Sequence, residues 1–76
     1  PNPTSGRFTA EVILWKQQQL VIVVYDVLGN EKYRRQWDGV KGISEEINLE
    51  NPANGMYLIR AITNNDAREI KLVVSQ

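Results

Sequence analysis

The sequence predicts an all-β domain, an antiparallel β-sandwich of six or seven short strands. Short segments of alternating apolar and polar residues recur along the chain, and turn residues separate them about every eight to twelve positions. No segment has the period of an amphipathic helix. The 76 residues are enough for one domain, and the apolar fraction of 42% is enough for a compact core.

The first two strands are predicted over residues 7–15 and 20–27, with a hairpin turn at residues 16–19. The core-facing residues of the first strand are Phe8, Ala10, Val12 and Leu14. Trp15 is expected at an exposed edge. The second strand has apolar residues on both faces, which is typical of a central strand covered on both sides or of one whose outer face meets a partner.

A turn at residues 26–30 follows, with Gly29 expected at positive φ. An edge strand is predicted over residues 31–37, ending in turns at Asp38-Gly39 and at Gly42. Residues 43–49 form another short strand, and residues 51–55 form a loop.

The last two strands are predicted over residues 56–63 and 68–75, joined by the polar turn 64–66. Tyr57, Ile59 and Ala61 are expected to face inward, as are Ile70, Leu72 and Val74. Tyr57 begins a late strand, where a tyrosine hydroxyl often bonds to backbone upstream. The pattern as a whole is typical of an Ig-like sandwich with a mostly buried Tyr57 ring.

Composition excludes several classes of function. Nine basic and nine acidic residues cancel, so the chain lacks the excess of basic residues that is typical of nucleic-acid-binding domains. It has no cysteine and no histidine, which removes thiol nucleophiles, disulfides and imidazole catalysis. The longest apolar run, residues 20–25, is too short to be a transmembrane segment. The sequence predicts no cofactor and no metal.

Three groups of side chains are candidates for a binding site. In each of the adjacent pairs Glu45-Glu46 and Arg34-Arg35, the two side chains point to opposite faces of a strand. We interpret them as solvent-exposed charges. Asp26, Asp38 and Asp66 stand at turns, where calcium binding is conceivable and turn capping is more common.

The third candidate is the row Tyr33, Arg35 and Trp37 on one face of the predicted edge strand. Such a row suits stacking on a sugar or on single-stranded nucleic acid. The commoner alternative is an ordinary edge strand whose aromatic rings fold over the core. An accessory β-sandwich that binds carbohydrate or another protein therefore stays open as a function.

Four motifs occur in order along the whole chain: residues 1–6 (PNPTSG), 25–29 (YDVLG), 54–60 (NGMYLIR) and 71–74 (KLVV). Each motif alone is weak. In this order, in one domain of this length, they resemble the C-terminal sorting domain of type IX secretion substrates. The resemblance places the family's motif positions on Pro1, Pro3, Gly6, Gly29, Gly55, Tyr57, Lys71, Val73 and Val74.

The resemblance implies a function. Such domains stand at the end of exported proteins of Bacteroidetes-type bacteria, direct them through the type IX outer-membrane translocon, and are then removed by a sortase-like cysteine peptidase that attaches the cargo to the cell surface. The 76 residues, which begin without methionine, are then a fragment of a larger exported protein whose cargo domain precedes them. Localisation would be periplasmic in transit and afterwards outer membrane, cell surface or medium.

One position departs from the family pattern, which usually has an aliphatic residue shortly after the mid-chain glycine. Lys32 stands there instead, and we expect Tyr33 to take over its packing through a register shift. As a hypothesis, residues 68–75 are the recognition element, since a receptor can capture such a strand by strand addition. No pair of side chains is placed for acid–base work, so no enzyme is expected.

Overall fold

The computed structural model describes residues 5–75, which form a single antiparallel sheet of four strands. The strands are β1 (Arg7–Asp26), β2 (Glu31–Asn48), β3 (Gly55–Ile62) and β4 (Ala67–Val74), in the order β2-β1-β3-β4. The predicted all-β, antiparallel class is confirmed, whereas the predicted sandwich of six or seven strands is not, because residues 5–75 form four strands in one sheet. Within residues 5–75, no helix is long and apolar enough to cross a lipid bilayer.

The two long strands cannot be straight. At about 3.3 Å per residue, the 20 residues of β1 would extend roughly 66 Å, but the longest dimension of the molecule is 36 Å. The bend lies where the register shifts: residues 14–17 of β1 stand against Lys41 alone, between the pairs Ile13–Gly42 and Gln18–Val40. Extra residues on one strand bend it and increase its twist.

This bend explains the strand count. The predicted strands over residues 7–15 and 20–27 are the two halves of β1, and both halves pair with β2. The predicted hairpin at residues 16–19 is wrong, because the chain changes direction there without turning back to pair with itself. Likewise Gly39, at φ 64°, and Gly42 lie inside β2 rather than in turns between strands.

Folding the ribbon over brings the inner faces of both halves around one core. Buried residues from all four strands belong to it, and the largest fully buried side chains are Leu20, Ile22, Val24, Ile47 and Val74. Phe8 is buried as predicted, and Ala10, Val12 and Leu14 pack against the core. Arg35 and Glu45, which pair with opposite halves of β1, approach each other to 3.4 Å across the fold.

The inward residues of β3 and β4 follow the prediction with one exception. Tyr57, Ile59, Leu72 and Val74 are buried. Ile70 shares their face, opposite Ile59, yet 63% of its surface is exposed. It lines an open groove between β4 and the first half of β1.

The expected register shift at Lys32 is confirmed. Val24 pairs with Tyr33, and the next residue of β1, Tyr25, pairs with Glu31. Lys32 is therefore the extra residue of a bulge, and Tyr33 packs against the core. The bulge returns the aromatic side chain to the inner face of the sheet.

Gly42 gives a test of the bend. A Cβ at this position would stand 2.5 Å from the carbonyl oxygen of Val12, a backbone atom of the paired strand. We expect Gly42→Ala to lower the free energy of unfolding by about 1–3 kcal/mol, the usual cost of overpacking. Chemical denaturation measures this. Ser44→Ala, at an exposed position of the same strand, is the control, and equal stability of the two variants would contradict the close approach.

Candidate functional site

The motif residues that the structure describes gather largely at one end of the molecule. This motif end consists of residues 5–6, the turn 26–30, the loop 49–55 and the end of β4. The Gly6 carbonyl accepts a hydrogen bond from the Leu49 N–H at 2.9 Å, and Gly55 pairs with Val74. Pro1 and Pro3 lie outside the described residues.

Gly6 has a role that no other residue type fills easily. Its φ is 107°, and a Cβ there would stand 2.7 Å from the Cγ of Pro52. Both the left-handed backbone and the close ring favour glycine. Gly6 therefore lets the backbone at residue 6 lie directly against the loop 49–55.

Tyr57 holds the same loop from the other side. Its side chain is 5% exposed, and its hydroxyl donates to the carbonyl oxygen of Ala53 at 2.7 Å. The predicted hydrogen bond to upstream backbone is confirmed. Together, the bonds at Leu49 and Ala53 fix both ends of the loop that Pro52 stiffens.

The turn 26–30 is closed by its aspartate. The Asp26 carboxylate accepts hydrogen bonds from the N–H groups of Leu28 and Asn30, at 3.0 and 2.9 Å. The bond from Asn30 is the main reason why the pKa of Asp26 lies below its ordinary value of 3.8. Gly29 has φ 89°, as predicted. Asp26 is thus a turn cap.

A groove of about 570 Å³ separates the turn from the loop. Its lining residues include Leu28, Lys32, Tyr33, Leu49, Pro52 and Met56. Leu28 is 84% exposed and its neighbour Val27 is 59% exposed. The motif end therefore presents apolar side chains to solvent next to a fixed loop.

The β4 motif residues point in two directions. Val74 faces the core and is 1% exposed, whereas Val73, opposite Met56, is 40% exposed. Lys71 shares the outer face with Val73 and is exposed. Val74 therefore shapes the sheet, while Lys71 and Val73 are presented on its outer surface.

A hydrogen bond on this outer surface ties β4 to β1. The Tyr25 hydroxyl donates to the carboxylate of Glu69, passing over β3. The bond to Glu69 is the main reason why the pKa of Tyr25 lies above its ordinary value of 10.0. Sequence reasoning missed this contact, because residues 44 positions apart carry no local signal of pairing.

The aromatic row does not form an open stacking surface. Tyr33 and Trp37 are half-buried and pack against the core, and the Arg35 guanidinium lies 5.0 Å from the centroid of the Trp37 ring. This is the commoner arrangement, an edge strand whose aromatic rings fold over the core, and it differs from an open site for sugar or nucleic acid. Trp15 is instead the most exposed large apolar residue described, at 89%.

The charged candidate residues form surface ion pairs and local hydrogen bonds. Arg34 pairs with Glu31 at 2.9 Å, and Arg7 approaches Glu46 at 3.9 Å, both on the surface. The Asp66 carboxylate accepts the Ala67 N–H, and that of Asp38 accepts side-chain amides. No group of three or more acidic, histidine or cysteine residues within 5–75 is arranged to hold a metal ion.

The Tyr57 hydroxyl bond is testable. We expect Tyr57→Phe to lower the free energy of unfolding by about 1 kcal/mol, the usual net value of one hydrogen bond. Tyr33→Phe is the matched control, because the half-buried Tyr33 hydroxyl bonds to no residue within 5–75. Urea denaturation of both variants measures the difference. An unchanged midpoint for Tyr57→Phe would show that the bond does not hold the loop.

No curated protein and no solved structure is similar enough to the chain to give a match. The family model for the secretion system C-terminal sorting domain matches residues 1–75. That match covers all four sequence motifs and nearly the whole chain. The chain therefore belongs to the family of type IX secretion C-terminal sorting domains.

Proposed function

We propose that this domain directs a cargo protein through the type IX outer-membrane translocon as a folded signal, and that it performs no chemistry itself. The cargo would precede the domain in the same chain. The family match over residues 1–75 carries the proposal. The convergence of most motif residues at one end supports it, because a folded signal needs a constant shape that a receptor can read.

The motif residues have two different roles, since some set the shape of the domain and others are exposed for recognition. Gly6, Gly29 and Tyr57 fix backbone: the first two hold positive φ, and the third bonds to the loop. Val74 fills the core. These residues set the shape of the signal without contacting a receptor.

Lys71 and Val73 are the motif residues best placed for direct recognition. Their side chains lie on the outer face of β4, whose inner face is anchored by Leu72 and Val74. A lysine beside an exposed valine offers one charge and one apolar contact at fixed spacing. We infer that residues 68–75 are the element that the translocon reads, through these two side chains first.

The family match also suggests a processing step. Cleavage by a sortase-like cysteine peptidase would fall before Pro1, and the cargo would then be attached to the cell surface. Gly6 is bonded to Leu49 at the motif end, so the described chain starts beside the loop and the groove.

The sharpest test is a charge reversal on β4. The domain is attached to the C-terminus of a fluorescent protein that carries a signal peptide, in a strain with a working type IX system. We expect Lys71→Glu to reduce surface or medium fluorescence at least about tenfold, which corresponds to 1.4 kcal/mol of recognition. Lys41→Glu makes the same charge change at an exposed position on β2 and should leave export unchanged.

Substitution is preferable to deletion here. Removing residues 73–76 would also take Val74 out of the core, so lost export would not separate recognition from folding. Thermal unfolding of the purified Lys71→Glu domain checks that it remains folded. Normal export of a folded Lys71→Glu variant would contradict the assignment of Lys71 as a contact.

A further inference from the structure

Among the strands of residues 5–75, none pairs with one edge of the first half of β1. The Gly6–Leu49 hydrogen bond sets the antiparallel alternation, so the backbone groups of Phe8, Ala10 and Val12 point towards β2. The backbone N–H and C=O groups of Thr9, Glu11 and Ile13 therefore point away from β2. No strand within residues 5–75 pairs with that side, because β3 pairs only with the second half of β1.

The β3–β4 pair, which faces the first half of β1 across the groove, also has an open edge there. The Thr63–Asp66 hydrogen bond sets the alternation of β3 and β4, so the backbone groups of Ala67 and Glu69 point outward. Ile70, on the same strand, pairs with Ile59 and has inward parity but is 63% exposed. An inward-facing isoleucine left in solvent marks a position that the domain's own layers do not cover.

A continuous groove joins these features. One part, of about 430 Å³, has apolar lining from Phe8, Val12, Ile59, Ile70 and Leu72, and the charged Glu11, Arg68 and Lys71 also line it. A second part, of about 560 Å³, shares Val12, Ala61 and Arg68 with the first and ends at Trp15 and Gln18. The buried Gln18 Oε1 accepts no hydrogen bond from any residue within 5–75.

We propose that this side groove receives an extended polypeptide strand of another protein, with apolar side chains at alternate positions. The strand pairs with the backbone of Thr9, Glu11 and Ile13, and its inward side chains cover Ile70. The exposed Trp15 lies at the end of the groove, where it contacts one more apolar side chain. The groove borders residues 68–72 of β4, which belong to the proposed recognition element, but the inference rests on the edge of β1 and on Ile70 and does not require the export function.

The unpaired backbone groups decide in favour of a peptide over a sugar. Outward N–H and C=O groups recur at every second residue of β1, a spacing of about 6.6 Å that only another strand reproduces. Because apolar side chains line much of the groove, we expect the incoming strand to carry apolar side chains at alternate positions. A glycan would use the exposed Trp15 ring and leave the strand edge unpaired.

A peptide selection tests the inference. A displayed library of ten-residue peptides with all positions randomised is selected on the 76-residue domain, and the enriched peptides are synthesised. We expect alternating apolar residues in the enriched sequences. Bound peptide should slow amide hydrogen exchange at Thr9, Glu11 and Ile13 at least about tenfold, because these N–H groups become hydrogen-bonded.

A matched pair of variants locates the side-chain contact. Ile70→Asn should weaken peptide binding about tenfold, as expected for loss of one buried isoleucine contact. Val27→Asn, at a similarly exposed residue of the motif end, should not change the affinity. Both positions lie outside the core, and the melting temperatures check that both variants are folded.

Four outcomes would overturn the proposal: no enrichment of an alternating pattern, amide protection elsewhere on the domain, equal affinity of the Ile70→Asn variant, or binding of maltohexaose that Trp15→Ala abolishes. Sedimentation of the domain without peptide covers the remaining alternative. Self-association that protects Thr9 and Glu11 would assign the edge to a second copy and overturn the proposal as well.

Discussion

The structure depends on one geometric constraint, the bend in the β1–β2 ribbon. A 20-residue strand and an 18-residue strand remain hydrogen-bonded to each other on both sides of it, so neither half needs a separate partner. Because the ribbon folds over, Phe8 and Ile47 of one half reach the same core as Leu20 and Val24 of the other. Without the bend, a four-stranded sheet of this length would leave one apolar face in water.

The same bend divides the molecule into two ends with different chemistry. The corner carries Ile13 and Trp15, both more than four-fifths exposed. The opposite, motif end carries the glycines, Tyr57 and the end of β4. Its residues are connected: Gly6 contacts Pro52, the loop continues to Ala53, and Ala53 accepts the Tyr57 hydroxyl bond. A change at one motif therefore alters the backbone that another motif presents.

Much of this was predictable from the sequence, for physical reasons. Alternation placed Phe8 and Tyr57 correctly in the core, since period-two patterning records which face is buried. Asp26 and Gly29 identified their turn, because capping and positive φ are local properties. The bulge at Lys32 was expected from the departure of this position from the family pattern.

The errors arose where the outcome depended on distant contacts. The polar residues 16–19 look the same in a hairpin turn and in a bent strand, and only the pairing with β2 distinguishes the two. Ile70 has the parity of a core residue, but its burial depends on a layer that does not reach it. The Tyr25–Glu69 bond needs β1 and β4 on either side of β3, which is a property of topology.

The central claim is that these residues are a sufficient sorting signal. The most direct measurement attaches all 76 residues to a fluorescent protein with a signal peptide and compares a type IX-competent strain with one that lacks the translocon. If the domain is a sufficient sorting signal, we expect fluorescence on the surface or in the medium only in the competent strain. Periplasmic retention in both strains, with the domain shown to be folded, would contradict it.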